Sequence, residues 1–113
     1  MKRKEENRVE VEEIVLEVND KRYKGKRLVL GNMPLIIVHG EKGYIASSYI
    51  NHETAEKLGD IAGFVTNVKD FDDLLRAKVK YTTSWAEDLG IRPGMTIPKA
   101  LSLLGCLEET EKK

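Results

Sequence analysis

Glutamine is missing from this sequence, cysteine occurs once, histidine twice, and neither sign of charge is in excess. Each shortage excludes something. The one thiol, Cys106, cannot close an internal disulfide, and without a second cysteine nearby it suggests no zinc knuckle. It reads as a half-buried residue at a helix end. Nineteen basic residues against nineteen acidic ones leave no global field to draw the chain to nucleic acid or an anionic membrane. No apolar run approaches the ~18 residues a membrane span needs, and residues 1–8 are charged instead of forming a basic, apolar and small-residue signal. The expectation is a cytoplasmic protein with neither nucleic-acid nor membrane partners. The missing glutamine, beside 34% charged residues, resembles thermophile usage, because amides are heat-labile and ion-pair networks gain value when hot.

What is present suits a single α+β domain over residues 9–107, flanked by charged tails at 1–8 and 108–113. Residues 9–18 and 22–30 are rich in β-branched and aliphatic side chains, and Asn19-Asp20 between them fits a two-residue hairpin turn. That turn sets Glu17 against Arg22, Glu13 against Lys26, Glu12 against Arg27 and Leu16 against Tyr23. Three opposite-charge pairs and one apolar pair support the register, at roughly 0.2–1 kcal/mol each. The apolar side of the hairpin changes along its length. Near the turn it is Ile14, Leu16, Val18 and Tyr23; at the open end it is Val9, Val11, Leu28 and Leu30, on the opposite face. Either a bulge near Glu12-Glu13 realigns the halves, or one half packs on its own subunit and the other on a neighbour. All eight of these apolar residues are therefore candidates for an oligomer interface, within a hairpin spanning residues 9–31.

After Gly31-Asn32-Met33-Pro34, the run Leu35-Ile36-Ile37-Val38 is apolar without alternation, as in a strand covered on both faces. Gly40 to Gly43 turns the chain into a strand over residues 44–50. Asn51 is placed to cap a helix over 52–58 that Gly59 ends. Residues 61–68 return as a strand. Asp70 caps a helix with Phe71, Leu74 and Leu75 on one side, and residues 79–82 fit either an edge strand or a connector. Ser84-Trp85-Ala86-Glu87 has the form of a capping box, with Trp85 as a packing anchor. Arg92-Pro93-Gly94 is a turn, Thr96 caps a helix over 97–104 with Pro98 in its first turn, and Gly105 stops it. The sum is a mainly antiparallel sheet of about five strands, with three to four short helices packed chiefly on one face.

The chain resembles the YunC-like family of bacterial and archaeal proteins, a domain of unknown function. Gly43-Tyr44-Ile45, Ala62-Gly63 and Phe71-Asp72-Asp73-Leu74-Leu75 carry the resemblance, and Ala86-Glu87-Asp88-Leu89-Gly90-Ile91 followed by Pro93-Gly94-Met95 carries it most strongly. It implies an α+β fold whose N-terminal β region serves tetramerisation, so the expected partner is a second copy of the chain. It implies no activity. Members often have Cys-Gly where this sequence has Ser47-Ser48, so a thiol function there is lost here or reduced to a hydroxyl.

Chemistry is sparse. A Ser47 nucleophile served by His39 or His52 would need a base within hydrogen-bond reach and a strained turn, and Ser47 lies in a predicted strand without a Gly-x-Ser-x-Gly frame. No catalytic residue, metal ligand or cofactor is therefore assigned. Ser47, Ser48, Asn51 and His52 remain the candidate ligand site, because a strand end and a capped helix start meet there. The leading reading is a non-catalytic homo-oligomer framing a small-ligand or protein-binding site. The alternative is a small enzyme with a site near Ser47 to His52 at a subunit boundary.

Overall fold

A computed structural model describes residues 11–29, 31–47 and 50–109, with side chains described as far as Leu107. The expectations placed on residues 1–8, Val9, Leu30, Ser48 and residues 110–113 lie outside the described residues.

Strands β1 (Val11–Val18) and β2 (Lys21–Val29) form the hairpin, and Asn19 and Asp20 take φ of 54° and 66°, the left-handed pair a two-residue turn requires. The register is the expected one: Glu12 faces Arg27, Glu13 faces Lys26, Leu16 faces Tyr23 and Glu17 faces Arg22. Two of these charge pairs close to 3.9 Å; being exposed, each contributes about 0–1 kcal/mol. Pairing runs unbroken from Val11 to Val18, so the bulge considered near Glu12-Glu13 does not form. The two halves of the hairpin instead serve different sides of the sheet.

β3 (Pro34–His39) and β4 (Tyr44–Ser47) extend the sheet as a second hairpin. Helix α1 (His52–Leu58) then carries the chain over to β5 (Ala62–Val65), which runs parallel to β4. Helix α2 (Phe71–Arg76) and β6 (Tyr81–Thr82) follow, then α3 (Ser84–Asp88) and α4 (Ile97–Leu104). The strand order is β1-β2-β3-β4-β5-β6. β7 (Glu108–Glu109) joins Lys21 and Arg22 of β2, so the first two residues of the expected charged tail are part of the sheet. The sheet thus has six strands in its path where about five were expected, and its antiparallel order is interrupted once.

Two helices pack on one face of the sheet. Ile14, Leu16, Val18, Tyr23, Ile36, Val38, Ile45 and Val65 meet Phe71 and Leu74 of α2 and Ile97, Ala100, Leu101 and Leu104 of α4. Gly25 is required here, since a Cβ would come within 2.7 Å of the Phe71 ring. Of the residues expected at an oligomer interface, Tyr23 lies in the protomer's own core at 2% exposure, and the partly buried Ile14, Leu16 and Val18 pack against that core. The apolar periodicity was real, but an intramolecular helix layer uses it.

The other face carries a single helix. Ala55 of α1 packs on Ala46, Ala62 and Phe64, with Ile37, Tyr44 and Ile50 at the margin. Helices therefore occupy both faces, because the parallel β4-α1-β5 connection must cross the sheet. Nothing among the described residues covers the β1 and β2 part of this face, where Val11 is 56% and Val15 64% exposed.

Helix ends follow side-chain chemistry. Asn51 Oδ1 accepts from the Glu53 and Thr54 amides at 2.7 and 3.1 Å, and Gly59 ends α1 at φ 83°. Asp70 accepts from the Asp73 amide at 2.8 Å. The cap of α3 is Thr83 and not Ser84: its hydroxyl accepts from the Ala86 and Ala62 amides and donates to the Asp60 carbonyl at 2.7 Å. Ser84 serves elsewhere, its amide and hydroxyl both meeting the Glu56 carboxylate. Trp85, expected as a packing anchor, is 48% exposed and donates from Nε1 to the Glu56 carbonyl. No described helix is long and apolar enough to cross a membrane.

Candidate functional site

The end of β4 is organised by one hydroxyl. Ser47 lies on the helix-covered face, buried, and its Oγ accepts from the Ile36 amide at 3.1 Å and lies 3.5 Å from the Pro34 carbonyl. Backbone pairing of β3 with β4 reaches only Ile37 with Ala46, so this side chain satisfies an amide that the departing strand no longer reaches. The Ile50 amide then donates to the Ser47 carbonyl at 3.3 Å, turning the chain into α1.

That turn separates the residues expected to act together. His52 emerges on the opposite side of the sheet, its ring 6.2 Å from Phe64. Ser47 and Phe64 belong to opposite faces, because Phe64 pairs with Ala46 while Ser47 pairs with Val65. The Ser47 hydroxyl is thus not brought to His52, and its backbone contacts explain its burial. Asn51 behaves as an ordinary cap.

What assembles around His52 is an aromatic recess. The His52 and Tyr81 rings stack with centroids 4.4 Å apart and planes 2° from parallel. Ile50, Asn51, Glu53 and Phe64 complete the lining of an open cavity of about 310 Å³. β6 supplies Tyr81, placed beside Phe64 by the β5–β6 register. Of the residues expected at a ligand site, Asn51 and His52 line this cavity and Ser47 does not, while Ile50, Glu53, Phe64 and Tyr81 were not among those expected. The strand pairing of Phe64 with Tyr81 was the needed signal, and residues 79–82 fit two readings from sequence.

A second polar group lies on the same face. The Tyr44 phenol donates to Asp60 Oδ2 at 2.7 Å; burial, followed by this bond and the carboxylate's charge, raises its pKa far above the ordinary phenol value. The His39 ring sits 5.9 Å from Tyr44, and burial, then Lys26, then Lys24, holds its pKa below the usual histidine value. On the exposed side of α1, the Ser84 hydroxyl and amide keep the Glu56 carboxylate below its ordinary range. Among the described residues, no group of three or more His, Cys, Asp or Glu is placed to hold a metal.

Comparison with known proteins agrees with this architecture. The crystal structure of a protein of unknown function, TA1206 from Thermoplasma acidophilum, superposes with a TM-score of 0.81 at 38% identity, covering 86% of this chain and 95% of that one. No curated protein matches significantly. The family model for a domain of unknown function, DUF1805, matches residues 48–104, which run from the turn after β4 through α4 and include the recess. The chain belongs to this DUF1805 family.

Proposed function

We propose that the chain is a non-catalytic homo-oligomer, a YunC-like tetramer, that assembles through the bare part of its sheet and frames a small-ligand site at the recess beside His52. The observation that carries this reading is the exposure of Val11 and Val15 on the face that α1 leaves open, continuous with half-buried Leu28, Leu35 and Ile37. A row of apolar side chains on a flat sheet is an aggregation hazard unless something regular covers it. The charges flanking the row are ordered by strand. Glu13 and Glu17 on β1 are acidic, while Arg22, Lys24 and Lys26 on β2 are basic. A second copy related by a two-fold axis can lay its acidic strip on the basic strip of the first, which makes the surface complementary to itself. The near-turn residues Ile14, Leu16, Val18 and Tyr23 are left out of this interface, because they face the helix side, where Tyr23 is buried and the other three pack against the core. The non-catalytic part of the reading rests on Ser47, whose hydroxyl is committed to the β3 backbone and lies across the sheet from His52.

Size-exclusion chromatography with light scattering tests the assembly. Val15→Glu places a carboxylate opposite Lys24, so the lone protomer tolerates it. Combined with Val11→Glu, it is expected to break the particle down to dimers or to the 12.8 kDa monomer with an unchanged circular dichroism spectrum. A double variant that keeps the wild-type mass overturns the assignment of this face.

A further inference from the structure

Resting on the ligand-site part of that reading, we infer that the recess beside His52 takes a small planar organic cation, such as an amidinium or protonated amine carried on one ring. Its size admits one ring: the cavity is about 310 Å³, at the small end of ligand sites. Its walls suit a flat apolar body, because Ile50, Phe64 and the stacked His52 and Tyr81 rings line it.

The charge follows from what lines the recess and what does not. Acidic Glu53 is among the lining residues, and among the described residues that line the recess there is neither lysine nor arginine. The helix-start amides that would attract an anion are occupied, since those of Glu53 and Thr54 both donate to Asn51 Oδ1. Lys80 Nζ lies 6.0 Å from the Tyr81 centroid, at the outer limit of cation–π attraction, so its like charge opposes a cation in the recess only from the margin. A planar cation entering the recess gains a carboxylate at its charged end and aromatic faces along its body. An amidinium can also meet Glu53 through two parallel N–H bonds.

The test uses three probes of one shape: benzamidinium, benzamide and benzoate. Each is titrated into the full chain while the amide resonances of Ile50, Asn51, His52, Glu53, Phe64 and Tyr81 are followed by NMR. Benzamidinium is expected to shift these resonances and bind roughly two- to fivefold tighter than benzamide, the scale of an exposed ion pair. Benzoate is expected to bind more weakly than either. Glu53→Gln, an exposed substitution, is expected to erase the advantage of benzamidinium over benzamide. Benzoate binding as tightly as benzamidinium, or an advantage that survives Glu53→Gln, overturns the cation assignment and leaves the ligand site standing. If none of the three probes moves these resonances, the assignment and the ligand site both fail.

Discussion

Ile36 and Ile37 are neighbours in β3, yet they live in different proteins, so to speak: one under a complete helix layer, the other under the margin of a single helix. Ile36 is fully buried among residues from β2, β4, α2 and α4, whereas Ile37 is half-buried beside Tyr44 and Ile50. The same contrast holds across the whole sheet. On the covered face, apolar side chains at alternate positions are matched by the Phe71 and Leu101 sides of two helices. On the other, α1 reaches β4 and β5 through small residues, Ala46, Ala55 and Ala62, and no described residue covers the β1 and β2 part. The difference teaches where the protomer's stability resides and where its surface is free for a partner.

The largest effect that can break this comparison is in the core pair itself. Ile36→Ala should cost about 2–5 kcal/mol in chemical denaturation, and Ile37→Ala at least about 1 kcal/mol less, because a half-buried site leaves a smaller cavity. Equal losses would mean that the second face is as closed as the first.

Next are the two buried hydroxyls that hold the sheet's borders. Thr83→Val removes the acceptor for the Ala62 and Ala86 amides and should cost about 2–3 kcal/mol; a loss under about 0.5 kcal/mol would show that the cap is dispensable. Ser47→Ala orphans the Ile36 amide and should cost about 1–3 kcal/mol by the same measurement.

Smaller still is a pH effect confined to the second face. His39 has its folded pKa depressed, by burial first and then by Lys26 and Lys24, so the folded state favours the neutral ring. Its contribution to stability is present above the ordinary histidine value of about 6.5 and is lost as pH falls through the folded value. Lys26→Ala should raise the His39 titration midpoint seen by NMR. An unchanged midpoint would remove Lys26 as a cause.

Much of this architecture was legible in residues that act locally. Asn19-Asp20 dictated the turn and with it the whole β1–β2 register, and Asn51, Asp70, Gly59 and Gly105 marked helix ends because capping needs only near neighbours. The change of apolar side along the hairpin pointed to two packing partners. Which half belonged to the protomer was hidden, because that depends on where α2 and α4 dock. The parallel placement of β5 and the crossing of α1 to the far face were hidden for the same reason. Thr83 and Ser84 are both hydroxyl caps in form, and only the distant Glu56 and Asp60 decide between them. The candidate site was half legible: Asn51 and His52 lie at the strand-to-helix turn, but Tyr81 reaches His52 only through the β5–β6 pairing.

The account's central claim is that the open part of the second face is covered by further copies of the chain. Sedimentation equilibrium of the full-length protein over a range of concentrations tests it most directly. The account predicts a particle of about four times the 12.8 kDa chain mass, in line with a closed symmetric assembly; a monomer at every concentration would contradict it.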